Sequence, residues 1–210
     1  MSLRGLYAIT PDARESAALI ERARAALTAA TPSPVRMLQY RNKLADPASR
    51  RREAAALAAL CRAQRTLFVV NDDLELALQV GADGVHLGRD DGDLAGARAR
   101  LGDRLLGASC YNELERARTA RAAGADLVAF GSVFGSATKP DAVRAPLAVL
   151  GQARSLGIPV VAIGGITLHN AAEAIRAGAD LVAVISDLFD APDVAARARA
   201  YARLFEKESP

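Results

Sequence analysis

The sequence predicts an α/β fold: a (β/α)8 TIM barrel, a single domain over residues 1–210. Three observations predict it. Short apolar runs alternate along the chain with Ala/Leu/Arg-rich stretches of helical period, which reads as strand and helix in turn. The apolar runs are continuous, as parallel strands covered on both faces require. A local repeat joins them: "VGADGV", "AGADLVAF" and "AGADLVAV" each close a helix with glycine and re-enter a strand straight after aspartate. Eight strand–helix units, undivided by any Pro/Ser-rich linker, argue for a closed barrel. An open doubly wound sheet would carry a glycine fingerprint after its first strand, and here that strand runs into "ITPD".

The first strand is expected at residues 5–9 and the first helix at 14–29. "TPSPVR", 31–36, is a rigid turn that opens the second strand, 35–39. Asp46-Pro47 starts a helix at 47–63, with proline in the first turn, where its missing N–H is no loss. Strands at 67–70 and 84–86 flank a helix at 73–80, and strands at 105–108 and 127–130 follow helices at 93–100 and 112–123. Asp73 and Asp93 are read as helix caps. A helix at 144–155 leads into strand 159–163, one at 168–177 into strand 181–184, and one at 190–205 follows.

Composition excludes several classes. The chain is 51% apolar and 24% charged with a net charge of +3. Arginines are interleaved with acids rather than clustered, so no nucleic-acid partner is expected. No apolar run approaches the roughly 18 residues a membrane helix needs, so no membrane association is expected. The first residues, "MSLRGLYAITPD", lack a signal-peptide pattern, and a cytoplasmic location is expected. Two cysteines, Cys61 and Cys110, build neither a disulfide framework nor a four-cysteine zinc site. Cys61 sits in a helical pattern as a small core residue, whereas Cys110, beside Ser109, is a candidate for lining a pocket. The composition leaves room for a homo-oligomer.

In a barrel, functional groups gather on the loops after the C-terminal ends of the strands. The second strand ends in Gln39, Arg41, Asn42 and Lys43, and the third in Asn71, Asp72 and Asp73. The fourth ends in "HLGRDD", His86 to Asp91, and the fifth in "GASC", with Ser109. The sixth ends in "GSVFGSATKP", with Ser132, Ser136, Thr138 and Lys139. Of 27 basic residues only three are lysines. Lys43 and Lys139 are thereby expected at one mouth, and a lysine ammonium is a compact charge suited to phosphate oxygens. Asp72 and Asp91 follow neighbouring strands, so both could face one ion. Two carboxylates with substrate phosphates are a usual way to hold Mg2+. Turn and capping roles fit the same acids. Gly164-Gly165 after strand seven and Ile185-Ser186 after strand eight supply backbone N–H groups for a phosphate. His86 is read as a packed, hydrogen-bonded residue and His169 as solvent-facing. No Ser/His/Asp relay or cysteine nucleophile is suggested.

"LQYRNK", "VVNDD", "GADGVHLGRDD", "GASC", "VAFGSVFGSATKP", "VAIGGI" and "VAVISD" occur in the order found in the thiamine-phosphate synthase family, which the chain resembles from strand one to strand eight. The resemblance implies a barrel enzyme that joins a hydroxymethylpyrimidine diphosphate to a thiazole phosphate and releases pyrophosphate, with Mg2+. It implies that Gln39, Arg41 and Lys43 bind the diphosphate, with Asn71, Ser109 and Lys139 around the same substrate. Lys139, Arg41 and Ser109 are the implied catalytic residues, and Asp72 and Asp91 the metal ligands. Ser136, Thr138, Gly165, Ile185 and Ser186 match positions that contact the thiazole phosphate. Arg89 stands where the family commonly has Gln, which is expected to alter contacts near the metal. "GSATK" replaces a threonine pair with Ser and Thr, and keeps both hydroxyls.

The implied chemistry agrees with the absent relay. The aminopyrimidine pushes electron density toward its CH2, so a departing diphosphate leaves a resonance-stabilised cation. The thiazole nitrogen already has a lone pair and needs no activating base. Positioning and electrostatics then carry the reaction. The alternatives are a thiazole tautomerase-like relative, a non-catalytic phospholigand-binding regulator, or another phosphate-binding barrel enzyme. An aldolase would need its Schiff-base lysine on a strand, and Lys139 is expected in a loop.

Overall fold

The computed structural model describes residues 3–135 and 143–207. Eight parallel strands close into a barrel in sequence order, with β8 returning to β1. They are β1 Gly5–Ile9, β2 Val35–Tyr40, β3 Leu67–Asn71, β4 Gly84–Leu87, β5 Leu105–Tyr111, β6 Leu127–Phe130, β7 Val160–Ile163 and β8 Leu181–Val184. The helices are α1 Ser16–Leu27, α2 Pro47–Gln64, α3 Leu74–Gln79, α4 Leu94–Leu101, α5 Leu114–Ala122, α6 Ala148–Ala153, α7 Ala171–Arg176, α8 Ser186–Phe189 and α9 Val194–Lys207. Among the described residues no helix is long and apolar enough to cross a membrane.

Side-chain alternation splits the buried residues into two layers. Tyr7, Ile9, Met37, Val69, Val161 and Leu181 fill the barrel. Leu38, Phe68, Val85, Leu106, Phe130 and Val182 face outward and pack under the helices. Each such side chain stabilises the fold by about 1.5–3 kcal/mol relative to exposure. Both faces of the strands are thus apolar, which is why their sequences read as continuous runs. Cys61 is buried in the outer layer, as expected. Cys110 lies there too, so it does not line a pocket at the mouth: it follows Ser109 by one residue and therefore faces the other side of β5.

Helix starts follow the expected chemistry. Asp46 accepts hydrogen bonds from the N–H groups of Ala48 and Ser49, Asp73 from Leu76, and Asp93 from Ala95 and Gly96. Helix boundaries differ where proline intervenes. The helix expected from 144 begins at Ala148, because Pro146 disfavours helical backbone at the residue before it. The helix expected from 190 begins at Val194, past Pro192. The four-residue α8 is an additional element directly after β8.

His86 is buried inside the barrel and shares a 3.0 Å hydrogen bond between Nε2 and Ser109 Oγ. Its packed role is as expected. Gly107 on β5 makes room for the ring: a β-carbon there would stand 2.4 Å from His86 Nδ1.

Candidate active site

The C-terminal mouth divides into two arcs. On the β2–β5 side the last inward-facing residues are polar. Gln39 is buried, and its amide donates to Tyr7 Oη at 2.6 Å. Burial pushes the Tyr7 phenol pKa up, so it stays protonated. Asn71 ends β3, and the His86–Ser109 pair bridges β4 and β5. Beyond these residues the turn after β2 carries Arg41 and Lys43. They line an open cleft of about 270 Å³ with Asn42, Arg50, Asn71 and Asp72.

Asp72 is central to this arc. Its backbone takes a left-handed φ of 62°, which aspartate tolerates better than most residues. Its N–H donates to the His86 carbonyl at 2.9 Å, tying the turn after β3 to β4. Lys43 Nζ stands 3.5 Å from its carboxylate. Burial raises the Asp72 pKa first, and the hydrogen-bonded, negatively charged Asp91 carboxyl raises it further; Lys43 and Asn71 oppose this only in part. Asp91 itself accepts a 2.8 Å hydrogen bond from the Gly88 N–H. Two carboxylates from neighbouring turns therefore meet beside one lysine.

Arg89 turns away from this pair. Its guanidinium joins Glu113 and lies 5.0 Å from the centre of the Tyr111 ring. Its backbone N–H donates to Tyr111 Oη at 3.3 Å.

The opposite arc is apolar and glycine-lined. Gly164 and Gly165 have φ of +98° and +64°. A β-carbon on Gly165 would lie 2.1 Å from the Gly135 carbonyl oxygen, so the turn after β7 packs directly under the turn after β6. Asn170 braces it, donating to the Gly165 carbonyl at 2.9 Å and accepting from the Thr167 N–H at 2.8 Å. Ser186 is the exposed first residue of α8, next to Ile185 at the end of β8. Asp187 behind it accepts from Tyr201 Oη and Arg197, each at 2.6 Å.

The structure thus brings Gln39, Arg41, Lys43, Asn71, Asp72, Asp91 and Ser109 to one side of the mouth, and Gly165, Ile185 and Ser186 to the other. Ser136, Thr138 and Lys139 lie outside the described residues. Sequence reasoning missed Asp12. Its carboxylate accepts from Arg41 Nη1 at 2.8 Å and from the Lys43 N–H at 2.6 Å. Burial alone would raise its pKa, but the Lys43 N–H and the Arg41 guanidinium prevail and hold it below the usual value. The signal was present in "ITPD", a strand end like the seven others. Thr10 was missed as well: its hydroxyl donates to the Arg41 carbonyl and accepts from the Arg41 N–H, both at 2.8 Å.

A parallel barrel that gathers cations and paired carboxylates on one side of its mouth, with a glycine turn opposite, defines a phosphate-handling (β/α)8 enzyme. The chain belongs to the thiamine monophosphate synthase family, whose model matches residues 6–188. It is 57% identical over 204 residues to the thiamine-phosphate synthase of Chromobacterium violaceum, covering 97% of each chain. It is 54% identical to that of Bordetella pertussis, covering 96% of this chain and 94% of the relative. The thiamine phosphate pyrophosphorylase structure from Pyrococcus furiosus superposes with a TM-score of 0.87 at 35% identity, covering 98% of this chain and 97% of that one. A pyrophosphorylase from Bacteroides thetaiotaomicron, at 16% identity and a TM-score of 0.71, shares the fold.

Proposed function

We propose that this chain joins 4-amino-2-methyl-5-hydroxymethylpyrimidine diphosphate to 4-methyl-5-(2-hydroxyethyl)thiazole phosphate, giving thiamine phosphate and pyrophosphate. The observation that carries the reading is the meeting of Lys43, Asp72 and Asp91 at the mouth, in a chain 57% identical to a thiamine-phosphate synthase. The tautomerase-like and regulator alternatives are not favoured, since the relatives bear the synthase name over nearly their whole length.

The residues present fit Mg2+. Asp72 and Asp91 offer hard carboxylate oxygens side by side, and burial first, then the neighbouring Asp91 carboxylate, raises the Asp72 pKa against Lys43 and Asn71. In this proposal Asp72 and Asp91 hold the ion, which supplies Lewis-acid stabilisation of the leaving diphosphate.

The chain's own groups do the rest. Arg41 and Lys43, with Lys139, take up charge on the diphosphate as its bond to the pyrimidine CH2 breaks. Gln39 binds the diphosphate with them, and Asn71 and Ser109 lie around the same substrate. Gly165, Ile185 and Ser186 hold the thiazole phosphate on the opposite arc, and Ser136 and Thr138 are proposed to contact the same phosphate. That placement aims the thiazole nitrogen at the CH2, where the new C–N bond forms. No nucleophile–base pair is required. A cytoplasmic location and small-molecule substrates complete the proposal, and a homo-oligomer is compatible with it.

The test mixes the protein with both phosphorylated heterocycles and Mg2+ and measures pyrophosphate and thiamine phosphate together. Both should appear in equal amounts and vanish with EDTA. Absence of coupled product from folded protein would overturn the reading.

A further inference from the structure

We propose that Glu53, on α2 and outside the mouth, is a positioning residue for the diphosphate-side cations. The inference rests on the proposed function for the identity of the bound group. Glu53 is a carboxylate only 1% exposed, a placement that acids rarely adopt without dedicated partners. It has three. Oε1 accepts from Ser16 Oγ at 2.5 Å, and Oε2 accepts from Tyr40 Oη at 2.7 Å and Asn42 Nδ2 at 3.0 Å. These donors come from the start of α1, the end of β2 and the turn after β2, so one side chain ties together three segments.

The chain of contacts then reaches the cations. Asn42 is buried between Arg41 and Lys43 in sequence. Its amide also donates to the Ala13 carbonyl at 2.9 Å, and its oxygen accepts from the Ala13 N–H at 3.2 Å and the Leu44 N–H at 3.2 Å. That clasp fixes the turn after β1 against the turn after β2. Asp12, one residue before Ala13, holds Arg41 Nη1 and the Lys43 N–H. Burial and the Glu53 carboxylate together push the Tyr40 phenol pKa up, which keeps it a donor.

Geometry explains why the acid belongs there. Arg41 is flanked by Tyr40 and Asn42, and both neighbours are pinned to the same carboxylate oxygen. Holding both neighbours on Glu53 fixes the backbone from which Arg41 projects, at the cleft that Tyr40, Arg41, Asn42 and Lys43 all line. A buried network of this kind acts through geometry when every member is satisfied. Glutamine at this position retains it: the amide oxygen accepts from Tyr40 and Asn42, and the amide N–H donates to Ser16, whose hydroxyl reverses role.

The experiment compares wild type, Glu53→Gln, Glu53→Ala and Asn42→Ala. It measures KM for each substrate, kcat, the melting temperature, and binding of inorganic pyrophosphate with Mg2+ by calorimetry. Glu53→Ala and Asn42→Ala should raise KM for the diphosphate substrate and the pyrophosphate Kd about tenfold or more. KM for the thiazole phosphate should move by less than about twofold, and Glu53→Gln should lie close to wild type. If Glu53→Ala does not fold, Asn42→Ala and Glu53→Gln decide. A purely structural role would lower the melting temperature and active fraction with both KM values and the pyrophosphate Kd unchanged, and that result overturns the proposal. Pyrophosphate binding keeps the two readings apart. A wild type that binds pyrophosphate but forms no thiamine phosphate sinks the proposed function while the Kd comparison still judges Glu53, and a wild type with no pyrophosphate affinity overturns the positioning role.

Discussion

Lys43 Nζ lies 3.5 Å from Asp72 Oδ2, an ammonium from the turn after β2 facing a carboxylate from the turn after β3. Asp91 is hydrogen-bonded to Asp72, so one ammonium and two carboxylates gather here, the pattern that the proposed metal-bound diphosphate would complete.

Asp72→Asn tests that pattern cleanly. Asparagine accepts the left-handed backbone that residue 72 adopts, so the turn should survive, whereas alanine would add strain. We expect kcat to fall by about two orders of magnitude or more, with an unchanged circular dichroism spectrum. Normal turnover would refute the metal assignment.

Lys139→Ala is expected to lower kcat by more than about tenfold while KM for the thiazole phosphate stays near wild type. A loss confined to that KM would move Lys139 off the leaving group and onto the other phosphate.

Gly165→Ala should damage the opposite arc. Its positive φ costs about 1–2 kcal/mol for alanine, and the new β-carbon would meet the Gly135 carbonyl at 2.1 Å. The turn must shift, so KM for the thiazole phosphate should rise more than KM for the diphosphate. Equal effects on both would count against a separate phosphate site there.

His86 gives a pH signature to the metal-free protein. Burial pushes its pKa down from 6.5 to about 4, with Asp91 opposing. Between these values the unfolded chain binds a proton that the folded chain does not. Stability should be intact above pH 6.5 and fall as the pH drops toward 4, by up to about 3 kcal/mol from this group. Urea unfolding in EDTA at several pH values measures it. His86→Gln should flatten the slope between pH 6.5 and 4, and an unchanged slope would assign it to other groups.

Arg89→Gln installs the residue that the family resemblance leads one to expect at this position. Because the guanidinium pairs with Glu113 and Tyr111 rather than with Asp91, turnover should stay within about twofold of wild type. A large change in substrate preference would show that Arg89 reaches the bound substrate.

The sequence by itself determined the barrel and most of its mouth. Continuous apolar runs can only be buried on both faces, and glycine-to-aspartate junctions mark where each helix returns to the sheet, so strands 5–9, 127–130 and 181–184 were legible to the residue. Gln39, Lys43 and Asp72 were legible because a barrel places every strand's C-terminal end at one rim. Tertiary structure decided the rest. Ser109 and Cys110 differ in the sequence by one step, yet only the register of β5 sends the first to the mouth and the second beneath the helices. Asp12 and Glu53 look like ordinary loop and helix acids, since the partners that define them lie about 30 residues away for Asp12 and from 11 to 37 residues away for Glu53. Local pattern specifies which element forms and which way its ends point, but a network of hydrogen bonds between separate turns exists only once the barrel has closed.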